Sequence, residues 1–487
     1  MAPQPDITPG LSRDEALRAI ADALGPSGVI TDQNAQAPYL TEWRGIYQGA
    51  TPLIALPKTT AEAAETVRLC AAARLPMTPQ GGNTGLVGGQ TPSGREVLIS
   101  TRRMREIRDV DPASNTLIAE AGCLLAEVQA TADASDRLFP LSLASEGSAQ
   151  IGGLVSTNAG GVGVLRYGTM RDLVVGVEAV LPDGRIWDGL QRLRKNNTGY
   201  DLKQLFIGAE GTLGLITAVA LRLFPKPQHT ATAFVALATP ADATRLLNDV
   251  QAATGGLATA FELIPRIGLE FVLAHAADTR DPFETIYPQY ALIEISSGGA
   301  AVRPLLESVL EKALETGQAL DAVIAENVSQ VRSLWRLRES LSEAQKPEGV
   351  SLKHDVSVPV AAIAEFIEAA GALVQRIAPG CRPVPFGHVG DGNVHYNISQ
   401  PTGCSGPAFR AQGLKITRAV HDLAARFGGA ISAEHGIGQM KADEILRYKS
   451  PVEMDMMRAV KQALDPHGLM NPGKLLAPTD RKDDTDD

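Results

Sequence analysis

Residues 80–89 of the chain are Gln-Gly-Gly-Asn-Thr-Gly-Leu-Val-Gly-Gly, with five glycines in the nine positions that begin at Gly81. This segment ends a predicted βαβ unit, in which residues 53–57 (Leu-Ile-Ala-Leu-Pro) form a buried strand. The helix follows Thr59, where Thr59 and Glu62 fit a capping box, and a short strand then leads to Pro79. Glycine-rich loops expose backbone N–H groups, which can surround phosphate oxygens without obstruction by side chains.

Two further glycine-rich segments lie at residues 147–168 and 208–214. Two or three such loops would suit a pyrophosphate, whereas tight turns in an α+β fold explain any single loop equally well. A nicotinamide-type Rossmann site is a weaker hypothesis, because Gly161, Gly163 and Arg166 only approximate its fingerprint and the third glycine is absent.

The composition is that of a globular protein with two or three domains: 487 residues, 44% hydrophobic and 21% charged. A net charge of −10 argues against nucleic-acid binding. The four cysteines are far apart, which predicts reduced core thiols and a cytoplasmic protein. The first residues do not resemble a targeting signal, and the chain lacks the run of about 18 apolar residues that would predict a membrane span.

The pattern of predicted elements changes near residue 226. Before it, strands are expected at 97–100, 107–110, 116–121 and 174–181, which predicts an α+β domain. After it, strands at 233–237 and 290–296 alternate with longer helices at about 240–252, 302–316 and 408–427, which predicts a second domain. No internal repeat is evident.

Residues 385–397, Pro-Phe-Gly-His-Val-Gly-Asp-Gly-Asn-Val-His-Tyr-Asn, predict a hairpin. If residues 390–393 form its loop, His388 lies opposite His395, and Asn397 follows on the same face. Two imidazoles at that separation can share a divalent metal, or they can be a hydrogen-bonded pair in a core. The later pair Glu434-His435 supplies a third candidate ligand and a base, and it favours the metal site.

These segments together carry a resemblance to a known family. The glycine segments, including Glu146-Gly147-Ser148 and Gly208-Ala209-Glu210-Gly211, are similar to the FAD-binding domain of vanillyl-alcohol-oxidase-type flavoproteins. With the hairpin, Glu434-His435-Gly436 and Asn471-Pro472-Gly473-Lys474, residues 45–476 resemble FAD-linked D-2-hydroxy-acid dehydrogenases.

The resemblance implies an α+β fold with a two-subdomain FAD-binding domain (1–227) and an α/β substrate or cap domain that carries the hairpin (228–430). A C-terminal segment (431–476) is expected to return to the FAD domain, followed by a disordered tail (477–487). The chain has no histidine or cysteine at the positions where members of this family attach FAD covalently, so FAD is expected to be non-covalent. The implied FAD-binding residues are Pro79, Gly81, Gly82, Asn83, Thr84, Gly85, Gly88, Gly152, Gly153, Thr157, Asn158, Gly161, Gly168, Glu210, Gly214, Ile216 and Asn471.

The resemblance also implies the chemistry. The metal ligands match His388, His395 and Glu434, and the base that takes the hydroxyl proton matches His435. Arg338, Ser342, Lys353 and Asn397 match substrate contacts of the D-2-hydroxyglutarate members, although the family usually has threonine where Ser342 stands. From spacing alone, Arg338 and Lys353 fit a solvated helix face and a strand edge, so their assignment rests on the resemblance.

The expected reaction is oxidation of a D-2-hydroxy acid, with D-2-hydroxyglutarate first and D-malate, D-lactate or glycolate as alternatives. An oxygen-using oxidase on the same scaffold is a nearby alternative. A metal-dependent hydrolase would leave the three glycine-rich loops without a role, and a glycine-rich binding protein with a structural metal would leave the base at His435 without one. Imidazole and carboxylate ligands fit zinc or manganese. The electron acceptor stays open between an electron-transfer flavoprotein and a quinone, which would allow a peripheral membrane location, and the family suggests a homodimer.

Overall fold

The computed structural model describes residues 10–299 and 301–477, and these form two compact units. Unit 1 comprises residues 10–160, 169–225 and 434–477, and unit 2 comprises residues 161–168, 226–299 and 301–433. The sequence had suggested boundaries at 227 and 431, and it had placed residues 161–168 in the first domain. The first nine residues and all of the predicted tail except Ala477 lie outside the described part of the chain.

The strands of unit 1 form three sheets. Their bounds are β1 Val29–Ile30, β2 Ile54–Ala55, β3 Met77–Gln80, β4 Val97–Ser100, β5 Ile107–Asp111, β6 Thr116–Glu120, β7 Arg137–Leu138, β8 Val174–Val180, β9 Ile186–Gly189, β10 Leu215–Arg222 and β11 Phe224–Pro225. The sheet orders are β1-β2-β4-β3, β5-β6-β10-β8-β9 and β11-β7. Strands β2 and β3 both run parallel to β4, so the predicted βαβ crossover is present with β4 between its two strands.

The helices occur in both units. They are α1 Arg13–Leu24, α2 Gln33–Leu40, α3 Thr60–Ala72, α4 Leu125–Ala134, α5 Ile151–Ser156, α6 Val164–Tyr167, α7 Met170–Leu173, α8 Lys203–Phe206, α9 Pro240–Thr254, α10 Arg266–His275, α11 Arg303–Glu315, α12 Val328–Glu339, α13 Leu341–Ala344, α14 Ile363–Ile377, α15 Gly406–Ala411, α16 Gly413–Arg426, α17 Ile445–Tyr448 and α18 Pro451–Leu464. The helix predicted at 408–427 is therefore two helices, α15 and α16.

Thr59 caps α3 by accepting from the Glu62 N–H at 3.1 Å. The Glu62 carboxylate accepts from the N–H of Lys58, so the reciprocal bond of the predicted capping box is displaced by one residue.

Unit 2 is built on one large sheet with helices on both faces. Its strands are β12 His229–Leu237, β13 Ala258–Pro265, β14 Gln289–Ser297, β15 Asp321–Ile324, β16 Ser351–Leu352, β17 Asp355–Ser357, β18 Arg382–His388 and β19 Asn393–Ser399. The order is β15-β12-β14-β13-β18-β19-β16, with β17 also paired to β19. Alternate residues of β12 enter different apolar cores: Val235 packs with α9, α11, α14 and α16, and Phe234 packs with α10, α12 and α13.

The described residues include no helix that is long and apolar enough to cross a bilayer. The four cysteines are unpaired thiols, of which Cys70, Cys123 and Cys381 are buried and Cys404 is half-buried. Burial raises the pKa of the Cys70 thiol to about 12, so it is protonated at neutral pH.

Candidate functional site

Unit 1 contains a cleft where the glycine-rich segments meet. The cleft encloses about 860 Å³ of space free of protein atoms, part of which is open solvent. Its lining includes the following predicted cofactor residues: Pro79, Gly81, Gly82, Asn83, Thr84, Gly85, Gly152, Gly153, Thr157, Glu210, Gly214 and Ile216. His435 also lines it. The structure therefore brings the three predicted loops and the predicted base together in one unit.

Close packing between the loops explains why glycine is needed at particular positions. A Cβ at Gly81 would be tolerated, since it would lie 3.5 Å from the Cα atom of Gly153, which is an ordinary van der Waals distance. A Cβ at Gly82 would lie 2.0 Å from the carbonyl oxygen of Ser148, a distance that no real contact tolerates. A Cβ at Gly152 would meet the Cβ of Ala121 at 2.6 Å. The cradle thus depends on residues without side chains, and its peptide groups can lie directly against a bound dinucleotide phosphate.

Replacing Gly82 with alanine should weaken flavin binding about tenfold or more, because a strained core contact costs about 1–3 kcal/mol and about 1.4 kcal/mol corresponds to a factor of ten. The matched control is Gly147→Ala in a neighbouring loop, where a Cβ would meet nothing within 4 Å. The measurement is the dissociation constant of FAD, obtained by titrating flavin-stripped protein. Equal affinities in the two variants would show that the Gly82–Ser148 approach is not needed for the cofactor.

The loop that carries His435 is held to the cleft by Glu210. The carboxylate of Glu210 accepts hydrogen bonds from the backbone N–H groups of Ile437, at 2.7 Å, and Gly438, at 2.6 Å. Burial raises the pKa of Glu210, and the two N–H donors partly oppose that rise by stabilising the ionised form. A fixed backbone on one side of His435 limits where its imidazole can lie, which suits a group that must meet a substrate proton.

Five predicted cofactor residues lie outside the lining of the cleft. Gly88 accepts from the Gln439 side chain, and Asn158 accepts from the backbone N–H of Arg171. Asn471 donates its amide hydrogens to the carbonyl oxygens of Gly89 and Glu210, and its buried Oδ1 atom has no hydrogen-bond partner among the described residues. Gly161 and Gly168 belong to the segment that packs with unit 2.

The hairpin of unit 2 is present, but the predicted register is wrong. Strands β18 and β19 pair so that Phe386, and not His388, is opposite His395. The connection between the strands, residues 389–392, is as long as predicted but begins one residue earlier, and it consists of a 3-10 turn at Val389–Asp391 followed by Gly392 with φ 86°. The register error is two residues. A shift of two leaves each side chain on the same face of the sheet, so His388 and His395 are still neighbours, with ring centroids 5.5 Å apart.

Each of the two imidazoles has a buried carboxylate behind its Nδ1 atom. His388 Nδ1 lies 2.6 Å from Glu262 Oε1, and His395 Nδ1 lies 3.5 Å from Asp355 Oδ1. Strand pairing produces both contacts, because Glu262 is the register partner of His388 and Asp355 is the register partner of His395. Candidate ligand atoms of the two histidines lie within 4.8 Å of one another. Two imidazoles backed by carboxylates form a donor set that fits zinc or manganese.

Arg338 is not on a solvated helix face. Its side chain is 12% exposed, its Nε atom donates to Glu262 Oε2 at 2.7 Å, and its guanidinium lies over the ring of Phe386 at 5.0 Å. Burial alone would raise the pKa of Glu262, but attraction to His388 and Arg338 holds it below the ordinary value. Arg338 therefore lies in the same cluster of unit 2 as the two imidazoles.

The other predicted substrate residues of unit 2 differ in exposure. Asn397 is buried on β19, two residues beyond His395. Ser342 is half-buried on α13, one helical turn after Arg338, and Lys353 is exposed between β16 and β17. Glu434 immediately follows Ala433, whose backbone N–H donates to the carbonyl oxygen of Asp355 at 3.1 Å.

Two residues of this cluster, Glu262 and Phe386, were not identified from the sequence. The signal for Glu262 was a single charge in the otherwise uncharged segment Ala-Thr-Ala-Phe-Glu-Leu-Ile-Pro at residues 258–265. A charge in such a segment is rare unless it is paired. Phe386 had no comparable signal, because an aromatic residue in a strand usually belongs to a core.

Comparisons with known proteins identify the family of the chain. Residues 51–189 match the FAD binding domain family, and residues 226–475 match the family described as FAD linked oxidases, C-terminal domain. The D-2-hydroxyglutarate dehydrogenase, mitochondrial, of Arabidopsis thaliana is 39% identical over 456 residues, which cover 93% of this chain and 80% of that protein. The D-2-hydroxyglutarate dehydrogenase of Stutzerimonas stutzeri (strain A1501) is 36% identical over 453 residues, which cover 93% and 97%.

The fold is also found in solved structures. A p-cresol methylhydroxylase structure superposes with a TM-score of 0.75 at 15% identity, covering 96% of this chain and 98% of its own. Such low identity shows the fold alone, and it confirms the α+β fold expected from the sequence. The hydrolase and binding-protein alternatives are excluded by the sequence matches. The chain belongs to the FAD-linked oxidase family of flavin-dependent oxidoreductases, and it is similar over almost its whole length to D-2-hydroxyglutarate dehydrogenases.

Proposed function

We propose that this protein oxidises a D-2-hydroxy acid, D-2-hydroxyglutarate before D-malate, D-lactate or glycolate, to the 2-oxo acid with non-covalent FAD and a divalent metal. The observation that carries the proposal is the position of His435, an imidazole base that lines the same cleft as the glycine-rich loops. Relatives named D-2-hydroxyglutarate dehydrogenase support the choice of substrate.

The metal is proposed to bind His388, His395 and Glu434. The paired imidazoles support the first two ligands. For Glu434 the support is chain connectivity: Ala433 is hydrogen-bonded to Asp355, the strand partner of His395, and Glu434 is the next residue. The cleft supports FAD, with its pyrophosphate against Gly81–Gly85 and Gly152-Gly153 and with Asn471 and Thr157 holding adjoining peptide groups.

Bound FAD supplies a hydride acceptor at N5, and a bound divalent cation supplies a Lewis acid that lowers the pKa of the substrate hydroxyl. His435 removes the hydroxyl proton, which requires its imidazole to be neutral beforehand. Arg338 binds the distal carboxylate of the substrate through its terminal amino groups, because its Nε atom is engaged by Glu262. Asn397, Ser342 and Lys353 contribute further polar contacts to the substrate.

The electron acceptor is proposed to be an electron-transfer flavoprotein or a quinone rather than oxygen, because the relatives are named dehydrogenases. We propose a cytoplasmic location, with peripheral contact to a membrane if the acceptor is a quinone. A homodimer is proposed from the family.

The function as a whole is tested by anaerobic mixing of the purified protein with D-2-hydroxyglutarate. We expect the absorbance of the oxidised flavin to disappear within the first seconds after mixing, since hydride transfer to the flavin needs no external electron acceptor. A flavin that stays oxidised with D-2-hydroxyglutarate and with the three alternative acids would contradict the proposed reaction.

Acid precipitation should release the flavin into the supernatant as FAD. The reason is that the described residues that line the cleft include no cysteine and a single histidine, His435, for which we propose a role in proton transfer. Flavin fluorescence of the supernatant and of the pellet provides the measurement. Flavin retained in the pellet would mean a covalent link.

Arg338→Ala should weaken oxidation of D-2-hydroxyglutarate about 10- to 100-fold in kcat/KM, because a charge-assisted contact worth about 1.5–3 kcal/mol is lost. D-Lactate has no distal carboxylate, so its oxidation should change little. The control is Arg336→Ala on the same helix, where Arg336 is half exposed beside Asp278. Equal losses for both substrates in Arg338→Ala would contradict a role in binding the distal carboxylate.

A further inference from the structure

Glu262 is a carboxylate with no exposure to solvent in the centre of the unit 2 sheet. It lies on β13, between β14 and β18, and its neighbours Phe261 and Leu263 enter an apolar core. A carboxylate in such surroundings is costly unless its charge is paired and hydrogen-bonded. Its partners are therefore the first indication of its role.

The two oxygens of Glu262 have different partners. Oε1 lies 2.6 Å from His388 Nδ1, and Oε2 accepts from Arg338 Nε at 2.7 Å. A carboxylate paired with a permanently charged guanidinium is ionised and can only accept hydrogen bonds, so the proton of the contact is on His388 Nδ1. With Nδ1 protonated, the neutral ring offers its lone pair at Nε2, which is the tautomer that a metal requires.

Arg338 is fixed by the same carboxylate and by an aromatic ring. The guanidinium is held at its Nε edge by Glu262 and on its face by Phe386. Phe386 is in turn the register partner of His395, and their rings are 5.2 Å apart. With the Nε edge occupied, Nη1 and Nη2 form the end of the guanidinium through which a second carboxylate can be bound.

We propose that Glu262 is a positioning residue that couples the two halves of the substrate site: it fixes the metal-binding tautomer of His388 and the orientation of Arg338. The inference rests on the proposed function, in which the metal binds the hydroxy-acid end of the substrate and Arg338 binds the distal carboxylate. Each oxygen of Glu262 is engaged by one of these two residues, His388 and Arg338, so its effect on the substrate passes through them. Its loss should therefore affect binding at both ends more than the chemical step.

The test compares Glu262→Gln with wild type in two measurements. The first is the zinc dissociation constant of metal-stripped holoenzyme, measured by competition with a chromophoric chelator. It should rise about 10- to 100-fold, as is typical when the hydrogen-bond partner of a metal-binding histidine is removed. The second is steady-state kinetics at saturating zinc, where the KM for D-2-hydroxyglutarate should rise about tenfold, the KM for D-lactate should change less, and kcat should be largely restored.

The matched control is Glu294→Gln. Glu294 lies on the adjacent strand β14 and accepts hydrogen bonds from Trp335, on the same helix as Arg338, and from Thr232. It is thus a carboxylate of the same sheet that supports the same helix through a different residue. If Glu262 acts only as a support for the fold, both variants should lower the melting temperature and neither should change zinc affinity in the folded protein.

A second variant and a measurement on wild type cover the case in which Glu262→Gln does not fold. Glu262→Asp retains the charge but withdraws the oxygens by one methylene group, and it should show the same two effects to a smaller degree. In wild type, the histidine ring ¹⁵N spectrum should contain a hydrogen-bonded Nδ1–H proton that disappears in His388→Gln. Its absence from the wild-type spectrum would overturn the proposal.

The outcomes separate this proposal from the proposed function. If zinc binds wild type and His388→Ala abolishes that binding, but Glu262→Gln keeps wild-type zinc affinity and wild-type KM, the Glu262 proposal is wrong and the metal site stands. If wild type binds no zinc, the metal site is wrong and the Glu262 proposal fails with it. Weakened zinc binding together with a raised KM for D-2-hydroxyglutarate alone supports both.

Discussion

His435→Ala should slow the reduction of bound flavin about 10²- to 10⁴-fold with D-2-hydroxyglutarate and with D-lactate alike, because loss of a general base has this typical cost. Both substrates have a hydroxyl proton that must leave as the hydride departs, and the proposed acceptor of that proton is the imidazole of His435, which lines the cleft. Equal rate losses with the two substrates would distinguish the role of His435 from that of Arg338, because loss of Arg338 should slow oxidation of the dicarboxylate only.

The measurement is anaerobic stopped-flow reduction of the flavin at saturating substrate. His467→Ala is the matched control, since His467 is an exposed histidine of the same unit. FAD content and melting temperature are compared first, because the loop next to His435 is bonded to Glu210 and a distorted loop would also lower the rate. Partial recovery with added imidazole is expected. A His435→Ala enzyme that reduces its flavin at the wild-type rate would mean that the base lies elsewhere.

Removal of the metal should abolish turnover of every 2-hydroxy acid while FAD stays bound, and zinc or manganese should restore it. Without the Lewis acid the hydroxyl pKa stays far above the pKa of an imidazole, so His435 cannot remove the proton efficiently. His388→Ala and His395→Ala should behave like the metal-free protein and should bind zinc weakly. Full activity in a preparation shown to be free of metal would contradict this role.

His275→Ala is the matched control for these two variants. His275 also faces a carboxylate, with its Nε2 atom 2.7 Å from Glu348 Oε1, but it lies at the end of α10 and is not one of the candidate metal ligands in the described chain. It should keep wild-type metal content and activity. Metal content is measured by atomic spectroscopy, and FAD content by absorbance of the same samples.

Local chemistry in the sequence predicted the cofactor cleft. Glycine allows close approach of backbone segments wherever it occurs, so three glycine-rich segments were enough to indicate a phosphate cradle before their arrangement was known. Most of the cofactor residues that the family resemblance implied line this cleft, and the exceptions are instructive. Asn158 accepts from the backbone N–H of Arg171, and the carbonyl oxygen of Gly88 accepts from the side chain of Gln439. No local pattern distinguishes these roles from binding a ligand.

In the hairpin, the period of two predicted which side chains share a face but not the register of the two strands. The register was wrong by two residues because the four-residue connection lies at 389–392, one position earlier than predicted, where it contains a 3-10 turn. The two histidines are still neighbours because side chains alternate with a period of two, so an even error preserves the face. An odd error would have separated them.

The sequence by itself determined the glycine cradle, the imidazole pair and the family to which the chain belongs, because each depends on residues that are close in the chain or on a pattern of such motifs. Only the tertiary structure decided the partners of those residues. Glu262 meets His388 and Arg338 across 126 and 76 positions, and Glu210 meets the loop after His435 across 227. Such contacts arise from the order of strands in a sheet and from the return of the chain to unit 1, and a single sequence without structure does not encode them in any local pattern.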